Sequence, residues 1–206
     1  MGFLLRLLKL NTRFWRNVWG SIHAPYATYR SLVADDPEQL LVLVGLMAIY
    51  FFLVSPLKFR TFHPFLLTIN ASRLFTTALT TYLGVCFFFL SLGWVLGRKA
   101  NLRGVMLAWG FTLVPTLTWF FTTSMFYVVL PPPRHETLPG IIFSLLFITF
   151  SISLLFWKGL LYYLTLRFAL KLDLWRIIGV SIVFFPGLFL FSLWMYAWGI
   201  FRVPFV

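Results

Sequence analysis

Residues 36–57 read Asp-Pro-Glu-Gln-Leu-Leu-Val-Leu-Val-Gly-Leu-Met-Ala-Ile-Tyr-Phe-Phe-Leu-Val-Ser-Pro-Leu, and the fold class follows from them. No charge interrupts the stretch from Leu40 to Leu57. About 20 such residues form a helix that crosses a hydrocarbon core ~30 Å thick. In lipid, only a helix or a closed barrel pairs every backbone group internally. The boundaries are marked as well. Asp36 suits the N-cap, Pro37 the first helical position, and Gln39 the place of a capping-box partner. Pro56 marks the stop.

Outward from this stretch the pattern repeats. Spans are predicted at about 37–57, 74–97, 105–130, 138–158 and 177–201. The chain is therefore expected to be an all-α integral membrane protein, with five transmembrane helices preceded by an N-terminal amphipathic interfacial helix. Residues 1–35 are read as a cytoplasmic amphipathic segment and 36–206 as the transmembrane bundle. Composition demands such a solution. Of 206 residues, 61% are hydrophobic and 11% charged, whereas soluble domains run about half apolar and a quarter charged.

Residues 3–19 carry Arg6, Lys9, Arg13 and Arg16 at spacings of three, four and three, which share one helical face. Phe3, Leu7, Leu10, Phe14 and Val18 fall opposite, flanked by Leu4, Leu8 and Trp15 and interrupted by Asn11. Such a helix either lies in the interface with its cations toward anionic headgroups or docks on another subunit. Gly20 and Pro25 are expected to end it. Charges scattered among the apolar residues do not match a cleavable signal peptide.

The connections carry their own expectations. Residues 58–73 read as a loop hugging the interface, and the Asn70-Ala71-Ser72 sequon within it as a chance match. Gly93 and Gly97 stand in GxxxG spacing, which favours close helix approach. Pro115 predicts a kink, with Thr112, Thr116, Thr118, Thr122 and Thr123 nearby to satisfy freed backbone. The run from Leu138 to Leu170 is too long for one crossing, near 50 Å at ~1.5 Å per residue. Lys158 is expected to mark its exit by snorkelling to the headgroups, the remainder projecting or lying along the surface. Pro186 interrupts the last span, which closes on Trp194, Tyr196 and Trp198 as an interfacial belt.

With five spans, one side holds Arg6, Lys9, Arg13, Arg16, Arg30, Arg98, Lys99, Arg103, Lys158, Arg167, Lys171 and Arg176; the other holds Lys58, Arg60, Arg73, Arg134 and Arg202. The positive-inside rule then predicts a cytoplasmic N-terminus and a C-terminus outside or in a lumen. The net charge of +12 is spent on such orientation signals, so nucleic acid is not an expected partner.

No chemistry is legible. Cys86 is single, and His23, His63 and His135 are isolated. His135-Glu136 opens like a zinc-protease helix but meets Pro139 where the second histidine belongs. Asp173 reads as an interfacial ion-pair partner of Arg176, Arg167 or Lys171. The chain is accordingly read as non-enzymatic, with no catalytic residues, metal or cofactor.

Three stretches carry a resemblance to a known family. They are Pro25-Tyr26-Ala27-Thr28-Tyr29-Arg30-Ser31-Leu32, Leu96-Gly97-Arg98-Lys99-Ala100 through Arg103 to Leu113-Val114-Pro115, and Phe156-Trp157-Lys158-Gly159-Leu160. Their layout resembles the YIP family, the Ypt/Rab-interacting proteins and their bacterial relatives. The long acidic N-terminal region and tyrosine-proline motif of the eukaryotic branch are absent, so the similarity is to the bacterial type. It implies a five-span fold with a cytoplasmic N-terminus, and a role in membrane organisation or as an accessory subunit.

The functional expectation is a scaffold or accessory subunit that binds partner membrane proteins in a hetero-oligomeric complex, or organises the bilayer. The alternative is a small-molecule or lipid permease using the proline-kinked third and fifth spans, with Thr112, Thr116 and Thr123 lining its path. Candidate contacts to anionic headgroups are Arg6, Lys9, Arg13, Arg16, Arg98, Lys99, Arg103 and Lys158. Gly93, Gly97, Pro115 and Pro186 are expected to shape packing and kinks.

Overall fold

The computed structural model of the chain describes residues 2–58, 64–98, 100–129 and 138–200. Every regular element among them is a helix, as backbone without water to bond must be. The helices are α1 (Gly2–His23), α2 (Pro25–Leu32), α3 (Leu40–Ile49), α4 (Pro64–Val95), α5 (Leu102–Val129), α6 (Leu138–Phe168) and α7 (Leu174–Ala197). A 3-10 turn (Pro37–Gln39) leads into α3, and a π turn (Tyr50–Val54) and a second 3-10 turn (Ser55–Lys58) follow it. Pro56 accounts for the wider turn, because its ring clashes with the carbonyl four residues back. Among the described residues, five stretches are long and apolar enough to cross a membrane: Pro37–Leu57, Thr68–Val95, Leu102–Val129, Gly140–Phe168 and Leu174–Ala197.

α5 is the centre. Leu107, Ala108, Phe111 and Leu113 are sealed from solvent, and α3, α4 and α6 all pack on this helix. Between α4, α5, α6 and α7 the interior is aromatic. The Phe89 ring meets Trp109 edge-on at 5.3 Å, and Phe184 lies 5.0 Å from Phe89 and 5.6 Å from Tyr162. Near the other end of α5, Tyr50 stacks on Phe120 at 5.2 Å. α6 is peripheral, with Ile141, Leu145, Ile148 and Ile152 all exposed along its first half. Lipid would cover such a face.

α1 and α2 share the core of the spans rather than lying apart from it. Phe14, Val18, Tyr29 and Leu32 belong to one continuous apolar cluster with α5 and α6. Tyr29 is wholly buried, and its hydroxyl donates to the Ala108 carbonyl at 3.3 Å. The Thr165 hydroxyl shares its proton between that carbonyl at 3.2 Å and the Leu161 carbonyl of its own helix at 2.9 Å, so α2, α5 and α6 meet around the Ala108 oxygen. Burial pushes the Tyr29 hydroxyl's pKa upward, which keeps it a neutral donor.

Several sequence expectations are corrected here. Residues 64–73 are not loop: α4 begins at Pro64, whose missing N–H costs nothing in a first turn, and Asn70 lies on the helix. Gly20 does not end α1; it sits inside, and a Cβ there would fall 2.5 Å from the Thr28 hydroxyl, so it admits α2. Gly97 is no helix-packing residue. Its φ of +68° makes it the stop of α4, with Arg98 N–H bonding the Gly93 carbonyl at 2.8 Å and Gly97 N–H that of Trp94 at 3.0 Å. Gly93 does pack closely, against Ala100 and Leu170. Gln39 is turned away from the capping role, toward Asp35 and Asn17. Asp36 caps as expected, accepting from the Glu38 N–H.

α6 also departs from expectation. It runs without a break ten residues past Lys158 to Phe168, about 15 Å further. Leu161, Leu164 and Leu166 are buried in this part. The overhang neither projects nor turns along the surface, because α2 and α5 supply the apolar partners that lipid does not. Pro115 lies buried within a continuous α5, while Pro186 sits on the exposed side of α7.

Among the described glycines, the one nearest the backbone of another segment is Gly104, which the sequence did not single out. A Cβ on Gly104 would lie 2.8 Å from Val33 Cγ1 and 3.0 Å from the Val33 carbonyl. Gly104→Val is therefore expected to destabilise the protein by about 1–3 kcal/mol, the cost of overpacking. A thermal melt in detergent checks it, with Gly45→Val, in open surroundings, as the unaffected control.

Between α4 and α7 the two helices touch at both ends and part in the middle. At one end Phe88 and Phe89 meet Phe184. At the other, Arg73 donates to the Trp198 carbonyl. The open trough between them has a volume of about 980 Å³.

Candidate functional site: the basic end of the bundle

The antiparallel course of the helices gathers α1, α2, the turn after α4 and the turn after α6 at one end. α1 has three sides there. Leu10, Phe14, Asn17, Val18 and Ser21 face the bundle and are buried, with Phe14 5.3 Å from the Phe111 ring. Lys9 and Arg16 are exposed on a second side with Arg6, and Arg13 is half-buried. The third side is apolar yet uncovered: Leu5, Leu8, Trp15, Trp19 and Ile22 are each between 49% and 65% exposed. These recur through Thr12 at spacings of three and four, a full helical stripe.

The attachment of α1 is polar as well as apolar. The buried Asn17 amide donates to Gln39 at 2.8 Å and to Asp35 at 3.1 Å. Gln39, with no exposure at all, donates to Asp35 at 2.8 Å and to the Asp36 carbonyl at 3.3 Å. Burial alone would push the Asp35 carboxyl's pKa up. The Asp36 N–H, the Gln39 and Asn17 amides and the nearby Arg13 charge outweigh it and hold it below the usual carboxylate range. One turn from the start of α1, Arg6 makes a two-pronged ion pair with Glu38 (Nε to Oε2, 3.1 Å), which raises the guanidinium's pKa. Surface pairs of this kind add little stability, so the buried Asn17 and Gln39 amides are the stronger polar attachment of α1.

A second group forms around Asp173. Arg167 donates to it at 3.2 Å and to the Leu172 carbonyl at 3.0 Å, and Arg98 reaches it at 3.5 Å. Of the three partners expected for Asp173, the structure supplies Arg167 and adds Arg98, from a turn distant in sequence. Arg30 and Lys171 complete the walls of a shallow basic pocket of about 470 Å³, floored by Tyr26 and Phe168. Lys171 holds a left-handed backbone, φ 54°, at the turn.

The predicted headgroup contacts thus divide. Arg6, Lys9, Arg13 and Arg16 lie together on α1, and Arg98 lies with Arg30 and Arg167. Arg103 is exposed in the first turn of α5, and Lys158 stands alone, up the side of α6. Lys99 lies outside the described residues, as does His135-Glu136. Sequence reasoning missed Asn17 and the Arg30 pocket. Asn17 had a signal, a polar residue amid Leu10, Phe14, Val18 and Ser21 on one helical face; the pocket had none, because its cations come from three elements. The threonines of α5 do not line the cavity. Thr112, Thr118 and Thr123 donate to the carbonyls of Trp109, Val114 and Trp119 in their own helix, and the Thr116 hydroxyl is buried without a partner.

Among the described residues, no group of three or more histidine, cysteine or acidic side chains converges as a metal site would. Comparisons with protein-family models, with curated proteins and with solved structures find no match to this chain.

Proposed function

We propose that this chain is a non-enzymatic, multi-pass membrane scaffold or accessory subunit, similar to the bacterial-type YIP proteins, with its N-terminus in the cytoplasm of a bacterial inner membrane. α1 is its working surface. The observation that carries the reading is the three-sided character of α1: one face moored to the bundle, one cationic, one apolar and open. A helix held in this way cannot leave the interface plane, so its cations meet anionic headgroups while Trp15 and Trp19 enter either the acyl boundary or a groove on a partner. The basic pocket around Arg30 and Lys171 extends the same charged surface, in the manner of basic pockets that take anionic headgroups. The reading gains further support from the exposed span of α6, which leaves a second apolar flank available to another membrane protein.

The test is purification from the native membrane in mild detergent, with co-purifying chains identified by mass spectrometry. A stoichiometric partner is expected. It should be lost when Trp15 and Trp19 are both changed to Ser, while the melting temperature of the bundle stays within ~3 °C, since both side chains are exposed in the single chain. Recovery of a monodisperse chain without partner overturns the accessory-subunit reading.

A further inference from the structure

The cavity between α4 and α7 is not used by the reading above, and its chemistry points to an occupant. We infer that it binds the acyl chain of an anionic phospholipid, whose phosphate rests on Arg73 in the leaflet farther from α1.

The walls come first. Both helices are apolar enough to span a bilayer, so the gap between them opens on hydrocarbon rather than water. Two of its five lining hydroxyls are spent within α4: Thr77 and Thr80 each donate to the carbonyl four residues back, at 2.8 Å. Gly84 on one wall and Gly187 on the other have empty space where a Cβ would stand. From Arg73 to Phe88 the trough runs fifteen residues, about 22 Å. That is the shape of an extended hydrocarbon chain.

The mouth comes next. Arg73 and Trp194 flank it, with Trp198 beside them, at the level where aromatic rings sit between lipid and water. Arg73 bonds one carbonyl, that of Trp198. The ion pairs among the described residues are Arg6–Glu38, Arg98–Asp173 and Arg167–Asp173, so this guanidinium has no carboxylate. A planar fork of five N–H donors with most of them unused, above a dry trough, suits a phosphate. A transmembrane helix is a poorer occupant. The trough, about 22 Å long, is shorter than the ~30 Å over which a crossing helix would have to pack. The volume falls at the upper end of ligand pockets, about 300–1,000 Å³.

The experiment is native mass spectrometry of the full chain released from nanodiscs of phosphatidylcholine containing a minority of phosphatidylglycerol. One retained phosphatidylglycerol per chain is expected, with retention about tenfold or more weaker in Arg73→Gln and restored in part by Arg73→Lys. Gly84→Leu and Gly187→Leu, which fill the trough without striking a neighbour, should abolish retention of either lipid while far-ultraviolet circular dichroism stays unchanged. Equal retention of the two lipids, or an Arg73→Gln variant that retains phosphatidylglycerol like the native chain, overturns the headgroup assignment. Undiminished lipid in both leucine variants overturns the site itself. So does a stoichiometric polypeptide that those variants expel. None of these outcomes touches the role of α1, which is read from co-purification and different residues.

Discussion

Tyr29→Ala is expected to lower stability by about 3–5 kcal/mol, the range for emptying a buried aromatic site. The side chain has no exposure, and it fills the junction where α2 crosses the ends of α5 and α6. Its loss leaves a hole where α2 packs on α5 and α6. The conservative change separates packing from hydrogen bonding. Tyr29→Phe keeps the ring and gives up one neutral bond at 3.3 Å, so about 1 kcal/mol is expected. Thermal unfolding in detergent, followed by near-ultraviolet circular dichroism, measures both. Variants that melt together, or an alanine variant that melts with the native protein, would remove α2 from the core.

The polar attachment of α1 should respond to pH. Asp35 has its folded-state pKa held below the ordinary carboxylate value of ~3.9. A group lowered on folding contributes stability that is present above its unfolded pKa and disappears as pH falls through the folded one. The native protein is thus expected to hold its melting temperature down to about pH 4 and to lose it below. Asp35→Asn should be less stable at neutral pH and flatter across the same interval. Asn17→Leu acts at neutral pH too, because it strips the buried Gln39 oxygen and the Asp35 carboxylate of a donor each. About 1–3 kcal/mol per buried group left unpaired is expected. A native protein whose stability is level from pH 7 to pH 3 would sink the account of the network.

What could be read from the chain, and what could not, divides by the distance over which each residue's role is settled. The spans were legible because lipid acts on each stretch separately: residues 40–57 must be helical in hydrocarbon whatever their neighbours are. Asp36 and Pro37 were legible for the same local reason. Gly97 was misread because a glycine pair at spacing four suits both a helix contact and a helix stop, and only the backbone turn at Arg98 distinguishes them. The packing of α6 beyond Lys158 was not legible, because a helix end projects or is buried according to partners distant in sequence. Here α2 provides them.

By itself, then, the sequence determined the helical class and five stretches long and apolar enough to span a membrane, since each depends on contacts within a few residues or with solvent and lipid. Tertiary structure alone decided which face of α1 is buried, that Asn17 and Gln39 meet, that Arg30, Arg98, Arg167 and Lys171 gather around Asp173, and that α4 and α7 part to leave a cavity. Those outcomes rest on the relative placement of whole helices. Many similar helix faces compete for each such contact, and the winner is chosen by the fit of the entire bundle, which no local pattern records.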